Sequence, residues 1–316
     1  MDRHPPSDTS RAAIGIDVGG TKIEAVLLDG GGQTLWRQRV PSPSTDYDAM
    51  LGAIADLAGA ARREPLGQDA TIGLGTPGSL TRDGLIKNAN TVCLNGRPLE
   101  RDLAERLGTP VRVANDANCL ALSEAVDGAG AGSDVVFAAI LGTGTGAGIA
   151  VGGRVLAGPN GLAGEWGHNP LPWREASDPW PDCYCGQSGC IETLVSGPGL
   201  AAEHHARTGR RLSAEQIALA AAQGNAACAD TIGRWQHRLA RALAQVINLL
   251  DPDVIVLGGG LSRVESTYRE LPSLWDRWVF SGGLKDPVRT ALRPSLHGDS
   301  SGVRGAAWLW RGPAPR

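Results

Sequence analysis

Residues 12–29 read AAIGIDVGGTKIEAVLLD, and residues 135–151 read VVFAAILGTGTGAGIAV. Each is an apolar run, a Gly/Thr turn and a second apolar run, which predicts strand, tight turn, strand. Outward from the first copy, Met50, Ile54 and Leu57 fall at helical spacing within residues 46–63. Thr71 to Gly75 form a short strand ended by Pro77-Gly78, Leu99 to Leu107 a helix, and Val111 to Ala114 a strand. A further helix, Ala117 to Val126, opens at Asp116. Beyond the second copy, Ile232, Trp235, Leu239, Leu243 and Val246 share one face of a helix over Thr231 to Leu250. It stops before Asp251-Pro252 and feeds a strand, Val254 to Leu257, and the turn Gly258-Gly259-Gly260. Ser300 or Ser301 can cap a last helix containing Ala306 to Trp310. Two like hairpins, each followed by helix and strand, predict a duplicated α/β unit.

The bulk properties exclude several classes. The 316 residues are 42% hydrophobic and 20% charged, with net charge −3, as expected of a soluble globular chain of about two domains. The charge signs are interspersed, so no basic block points to nucleic acid. The start, Met1 to Arg11, is polar and lacks a signal-peptide core, and no run of about eighteen apolar residues occurs. The expectation is a cytoplasmic protein. Only three of the 30 basic residues are Lys, and one of them, Lys22, stands inside a Gly-rich turn. An ammonium and a guanidinium are not interchangeable beside phosphate, which favours a chemical role there.

Four motifs carry chemistry. Asp17-Val18-Gly19-Gly20-Thr21-Lys22 and Gly142-Thr143-Gly144 put small residues in turns whose backbone N–H groups can cradle phosphate. An ordinary hairpin turn explains one copy; two copies, each between strands, favour phosphate. Gly142-x-Gly144-x-x-Ala147 also fits a dinucleotide fingerprint, but that fingerprint must open a helix, and Ile149 onwards alternates like a strand. Asp116, at a strand-to-helix junction, has the chemistry of a general base for an attacking hydroxyl, or the simpler role of helix N-cap. His168 with Cys183, Cys185 and Cys190 makes a Cys₃His set suited to structural zinc, flanked by Glu165 and Glu192. One ring nitrogen of His168 can take the metal while the other faces a ligand.

At this point the chain resembles the bacterial ROK sugar kinases, from about Ala13 to Trp310. The resemblance rests on IGIDVGGTK, GLGTPGSL, VANDANCLALSEA, ILGTGTGAGI, GLAGEWGHNPLP, CYCGQSGCIE and DPDVIVLGGGLS, in that order. It implies two ribonuclease H-like domains of the hexokinase–actin type with an inter-domain cleft. Residues 12–117 would form the first and 118–299 the second, with a final helix near 300–311 packing back on the first. It further implies Asp116 as catalytic base beside Asn115, and sugar hydroxyls held by Gly78, Asn90, Glu165, His168 and Glu192. ATP phosphates would lie on Gly19, Gly20, Thr21 and Lys22 and on Gly142, Thr143 and Gly144, with Gly258 and Gly259 facing adenosine. Asp17 would orient Mg²⁺, and a homodimer is implied.

KNANTVCLNGRPL, EWGHNPLPW and HGDSSGVRGAAWLW are most similar to the fructokinase branch. The expected reaction is therefore phosphorylation of fructose at the 6-hydroxyl, with mannose second. Bulky Trp166 and Trp173 are expected to deny room to an acetamido group. An N-acetylglucosamine or glucose kinase is the alternative. A sugar-responsive repressor is disfavoured, because about twelve polar residues before the first strand are too few for a DNA-binding domain.

Overall fold

The computed structural model describes residues 11–281 and 286–311. The chain opens with strands β1 (Ala13–Val18), β2 (Lys22–Leu28) and β3 (Thr34–Pro41), then helix α1 (Tyr47–Arg62). There follow β4 (Thr71–Thr76), β5 (Ser79–Leu80), β6 (Ile86–Lys87), α2 (Leu99–Leu107), β7 (Val111–Asn115) and α3 (Asp116–Val126). The second hairpin is β8 (Val135–Leu141) and β9 (Thr145–Val151), with β10 (Arg154–Val155) after it. Helices α4 (Ile191–Val195), α5 (Gly197–Thr208), α6 (Ala214–Ala222) and α7 (Ala226–Leu250) lead to β11 (Val254–Gly258), α8 (Ser266–Trp275), β12 (Ala291–Pro294) and α9 (Ser301–Trp308).

The two five-stranded sheets share one plan. The first is ordered β3-β2-β1-β4-β7 and the second β10-β9-β8-β11-β12. In the first, β2 runs antiparallel to β1 and β3, while β1, β4 and β7 are parallel. In the second, β8, β11 and β12 are parallel. This is the ribonuclease H-like sheet, present twice, of the hexokinase–actin type. Central parallel strands are covered on both faces, which is why β1 and β11 read as near-continuous apolar runs.

Two compact units emerge. One comprises the chain up to Ala131, Gly148–Ala163 and the chain from Asp299; the other comprises Gly132–Ala147 and Gly164–Gly298. In the first unit, one face of the sheet packs Ile14, Ile16 and Ile23 against Met50, Ile54 and Leu57 of α1 and Leu99 and Leu103 of α2. The other face meets α3 and α9 through Val26, Leu28, Cys119, Val303 and Ala306. Glycines make that second layer close. A Cβ on Gly15 would stand 2.0 Å from the Val303 carbonyl oxygen, on Gly73 1.9 Å from that of Ala306, and on Gly305 1.7 Å from that of Cys119. Backbone therefore packs on backbone, and no other residue fits these positions.

Local signals set the helix ends. Asp46 caps α1 by accepting from the Ala49 N–H, and Asn225 caps α7 at the Cys228 N–H, so that α7 starts at Ala226, five residues ahead of the predicted Thr231. The predicted serine cap of the last helix is not formed. Ser300 makes no side-chain cap bond, and the Ser301 hydroxyl donates instead to Oε1 of the buried Glu124, 2.9 Å away. Among the described residues, no helix is long and apolar enough to cross a membrane.

Candidate active site

In the first unit, the β1–β2 turn is closed by the Gly19 N–H donating to the Lys22 carbonyl at 3.0 Å. Gly20, Thr21 and Lys22 are exposed around it. Asp17, at the end of β1, faces the start of α9: a Cβ on Gly302 would stand 3.5 Å from its carboxyl carbon. Burial, then the negative charges of Asp116 and Glu24, push its carboxyl up to about 7, against the opposing effect of Lys22. A cation at this carboxylate would relieve that repulsion.

The Asn115-Asp116 pair separates two roles that the sequence left open. Asn115 is the N-cap of α3: its Oδ1 accepts from the Ala117 N–H at 2.8 Å and the Asn118 N–H at 3.4 Å. Asn115 is thus the N-cap, and Asp116 is the first residue of the helix, its Oδ1 also accepting from the Ala117 N–H at 2.8 Å. The Asn115 amide also donates to the Gly78 carbonyl at 2.8 Å, fixing the backbone of a second expected sugar residue. Gly78 has φ +79, and a Cβ there would lie 2.3 Å from the Lys87 carbonyl oxygen. The exposed Asn90 is carried on a loop that Asn95 pins, accepting from the Ala89 N–H and donating to the Ala89 carbonyl, both at 2.9 Å. Asn95 was missed in the sequence, where it reads as an ordinary turn residue.

In the second unit, the β8–β9 turn is closed by the Gly142 N–H donating to the Gly144 carbonyl at 3.0 Å and leads into a strand. The dinucleotide fingerprint is thereby excluded, since no helix follows it. Thr143 is exposed at the tip. Gly259 has φ +81, and its Cβ would stand 2.6 Å from the Leu141 carbonyl oxygen, so the Gly258-Gly259 turn presses on the Gly142 turn. Glu192, in the first turn of α4, accepts from the Thr145 N–H at 2.8 Å through Oε2. A Cβ on Gly144 would meet that same oxygen at 2.8 Å, so glycine here is needed for the carboxylate to sit where it does.

Glu165 and His168 begin and end a single 3₁₀ turn entered through Gly164 at φ +94. His168, Cys183, Cys185 and Cys190 bring their ligand atoms within 4.8 Å of one another. His168 Nδ1 lies 3.7 Å from Cys183 Sγ, and Cys185 Sγ lies 3.6 Å from Cys190 Sγ. Tetrahedral zinc with bonds of about 2.0–2.3 Å separates its ligands by roughly 3.5–3.8 Å, so the four donors fit that ion. The other ring nitrogen, Nε2, stands 3.1 Å from the hydroxyl of Tyr184. The Tyr184 phenol is pushed up to about 12, first by partial desolvation, then by the charges of Glu192, Cys183 and Glu165. The hydroxyl of Tyr184 therefore belongs with Glu165, His168 and Glu192.

Beneath this loop lies a buried ionic cluster with no sequence signal. Asp178 accepts from Arg238 Nε at 2.9 Å and from Arg241 Nη1 at 2.7 Å, and Arg238 also pairs with Glu203. These partners lie 60 or more residues from Asp178, and both arginines read as the polar face of α7.

Comparison with known proteins completes the picture. A profile of the ROK family matches residues 13–312. An N-acetyl-D-glucosamine kinase of Pectobacterium atrosepticum is 39% identical over 302 residues, covering 93% of this chain and 97% of that one. A ROK hexokinase structure from Thermus thermophilus is 33% identical with a TM-score of 0.80, covering 94% and 96%. A ROK glucokinase of Streptomyces griseus, in complex with glucose and AMPPNP, is 29% identical with a TM-score of 0.75, covering 94% and 98%.

These relatives overturn the fructose expectation. Half of its physical premise also fails: Trp173 is 46% exposed, but Trp166 is a core residue. The ring is 5% exposed, meets Phe137 edge-on at 5.7 Å and donates Nε1–H to the Ala242 carbonyl at 3.2 Å. Such a ring cannot crowd an acetamido group.

Proposed function

We propose, from the premise that this chain belongs to the ROK family, that it is an ATP-dependent sugar kinase whose substrate is N-acetyl-D-glucosamine, phosphorylated at the C6 hydroxyl. The observation that carries the substrate is 39% identity across 93% of the chain with a kinase of that sugar. Glucose is the second reading, favoured by the likeness to a glucokinase with bound glucose.

Phosphoryl transfer asks a protein for positioning and charge stabilisation more than for covalent chemistry. Asp116, the first residue of α3, takes the C6 hydroxyl proton as that oxygen bonds to the γ-phosphorus and the bond to the bridging oxygen breaks, releasing ADP. The Gly19–Lys22 and Gly142–Gly144 turns offer backbone N–H groups, and Lys22 a cation, to the phosphate oxygens. Asp17 is the residue that would hold Mg²⁺, through water; the ion would supply positive charge to the phosphates. Gly78, Asn90, Glu165, His168 and Glu192 bind the sugar, and Asn115 positions Gly78. The Cys₃His set would hold a zinc ion that closes the loop between Glu165 and Glu192. The reading is tested by ³¹P and ¹H NMR of the product formed from ATP and N-acetyl-D-glucosamine. A phosphomonoester on C6 is expected; an unreacted sugar with intact protein would overturn it.

A further inference from the structure

In the first unit, residues 86–97 fold into a loop that carries Asn90. Backbone bonds close its base: the Ile86 N–H donates to the Arg97 carbonyl at 3.0 Å, and the Gly96 N–H to the Ile86 carbonyl at 2.8 Å. Farther out, a side chain supplies the rung between the two arms. The Asn95 carboxamide accepts from the Ala89 N–H and donates to the Ala89 carbonyl, both at 2.9 Å. A backbone N–H only donates and a carbonyl only accepts, so this amide has a single orientation. Asn95 is itself held, because its own N–H donates to the Val92 carbonyl at 3.1 Å, at the end of a 3₁₀ turn anchored by the fully buried Leu94. The Asn95 side chain is exposed and fills no core, so these two bonds are its main contribution.

Ala89 meets both of the sugar-binding elements proposed for this unit. Asn90 follows it directly, and Asn88 before it stands at φ +59, a left-handed conformation that asparagine tolerates better than most residues. Gly78 packs against the same residue: a Cβ on Gly78 would stand 2.7 Å from the Ala89 nitrogen and 3.0 Å from its Cα. The Gly78 carbonyl is held in turn by the Asn115 amide at 2.8 Å, next to Asp116 in the chain. A shift of Ala89 therefore displaces Asn90 and releases its contact with Gly78. We propose that Asn95 is a positioning residue for the sugar: its carboxamide fixes Ala89, and through Ala89 the places of Asn90 and Gly78. The inference rests on the reading of Asn90 and Gly78 as sugar-binding residues.

The test uses two variants. Asn95→Asp keeps the shape and the acceptor but turns a second oxygen to the Ala89 carbonyl, and Asn95→Ala removes both bonds. KM is measured for N-acetyl-D-glucosamine under saturating MgATP, and for MgATP under saturating sugar. Both variants should raise KM for the sugar by roughly 5–30-fold, the loss of one or two neutral hydrogen bonds. KM for MgATP should stay within about twofold and kcat within about threefold. A lower Tm with both KM values unchanged, or failure of both variants to fold, would assign Asn95 to stability and overturn the inference. Equal rises in the two KM values, or no change in any of these quantities, would overturn it as well. If the wild type prefers another hexose, the same comparison is made with that hexose, so the substrate reading can fail while this inference stands. A wild type that phosphorylates no hexose would refute the kinase reading, and this inference with it.

Discussion

Replacing Asp178 by Ala should destabilise the protein through a single identifiable cause. Asp178, Arg238 and Arg241 are 3%, 2% and 1% exposed, so solvent cannot replace a lost partner. Without the carboxylate, Arg238 still pairs with Glu203, but Arg241 keeps only the Trp173 carbonyl, at 2.8 Å. Stranding a buried charge in this way costs about 3–5 kcal/mol. For a unit of this size that corresponds to a Tm lower by roughly 6–20 °C, read by calorimetry or circular dichroism. Burial alone would raise the Asp178 carboxyl, but Arg241, the Glu175 N–H and Arg238 together hold it well below the usual carboxylate range. Its folded value thus lies below the unfolded value of about 3.9. The contribution is full above that pH and is lost only as pH falls through the folded value. The gap between wild type and variant should therefore be constant from pH 8 to pH 5. A variant melting within about 2 °C of wild type, or a gap that closes by pH 6, would refute the reasoning.

Three further outcomes follow from the geometry. Asp116→Asn should lower kcat by about 10²–10⁴-fold while calorimetric affinities for sugar and ATP hold; near-normal turnover would remove Asp116 as the base. Protein purified without added metal should carry about one zinc per chain, and Cys185→Ser should lose it; equal zinc in both would refute the ligand set. Asp17, raised to about 7, opposes folding once ionised, so its stabilising share is present at low pH and lost as pH rises through 7. Asp17→Asn, without metal or nucleotide, should therefore raise Tm at pH 8 more than at pH 5; an equal or reversed difference would count against the Asp17–Asp116–Glu24 repulsion.

Much of the fold was legible because it is written locally. Alternation around two Gly/Thr turns located β1, β2, β8 and β9, and a 3.6-residue stripe located α7. Strand β3, mostly exposed, reaches the core only through the half-buried Trp36 and Val40, too sparse a pattern to mark it, and was not read. The short helices α4, α5 and α6 lack a long apolar stripe. The Cys₃His group was legible because thiols within eight residues have few other uses. Asp178 and its arginines were not, since their pairing spans 60 residues and appears only once α7 lies under the loop. The substrate was misjudged because EWGHNPLPW and KNANTVCLNG resemble the fructokinase branch, a likeness the N-acetyl-D-glucosamine kinase relatives outweigh; the added tryptophan argument failed at Trp166, whose place in the core is a property of packing.

The central claim is the sugar. With purified protein, saturating MgATP and ADP release as the readout, kcat/KM should be highest for N-acetyl-D-glucosamine. It should exceed that for fructose by about tenfold or more, the discrimination expected of a site whose buried polar groups match one substrate. A higher kcat/KM for fructose or mannose, or no ADP release with any hexose, would contradict the account.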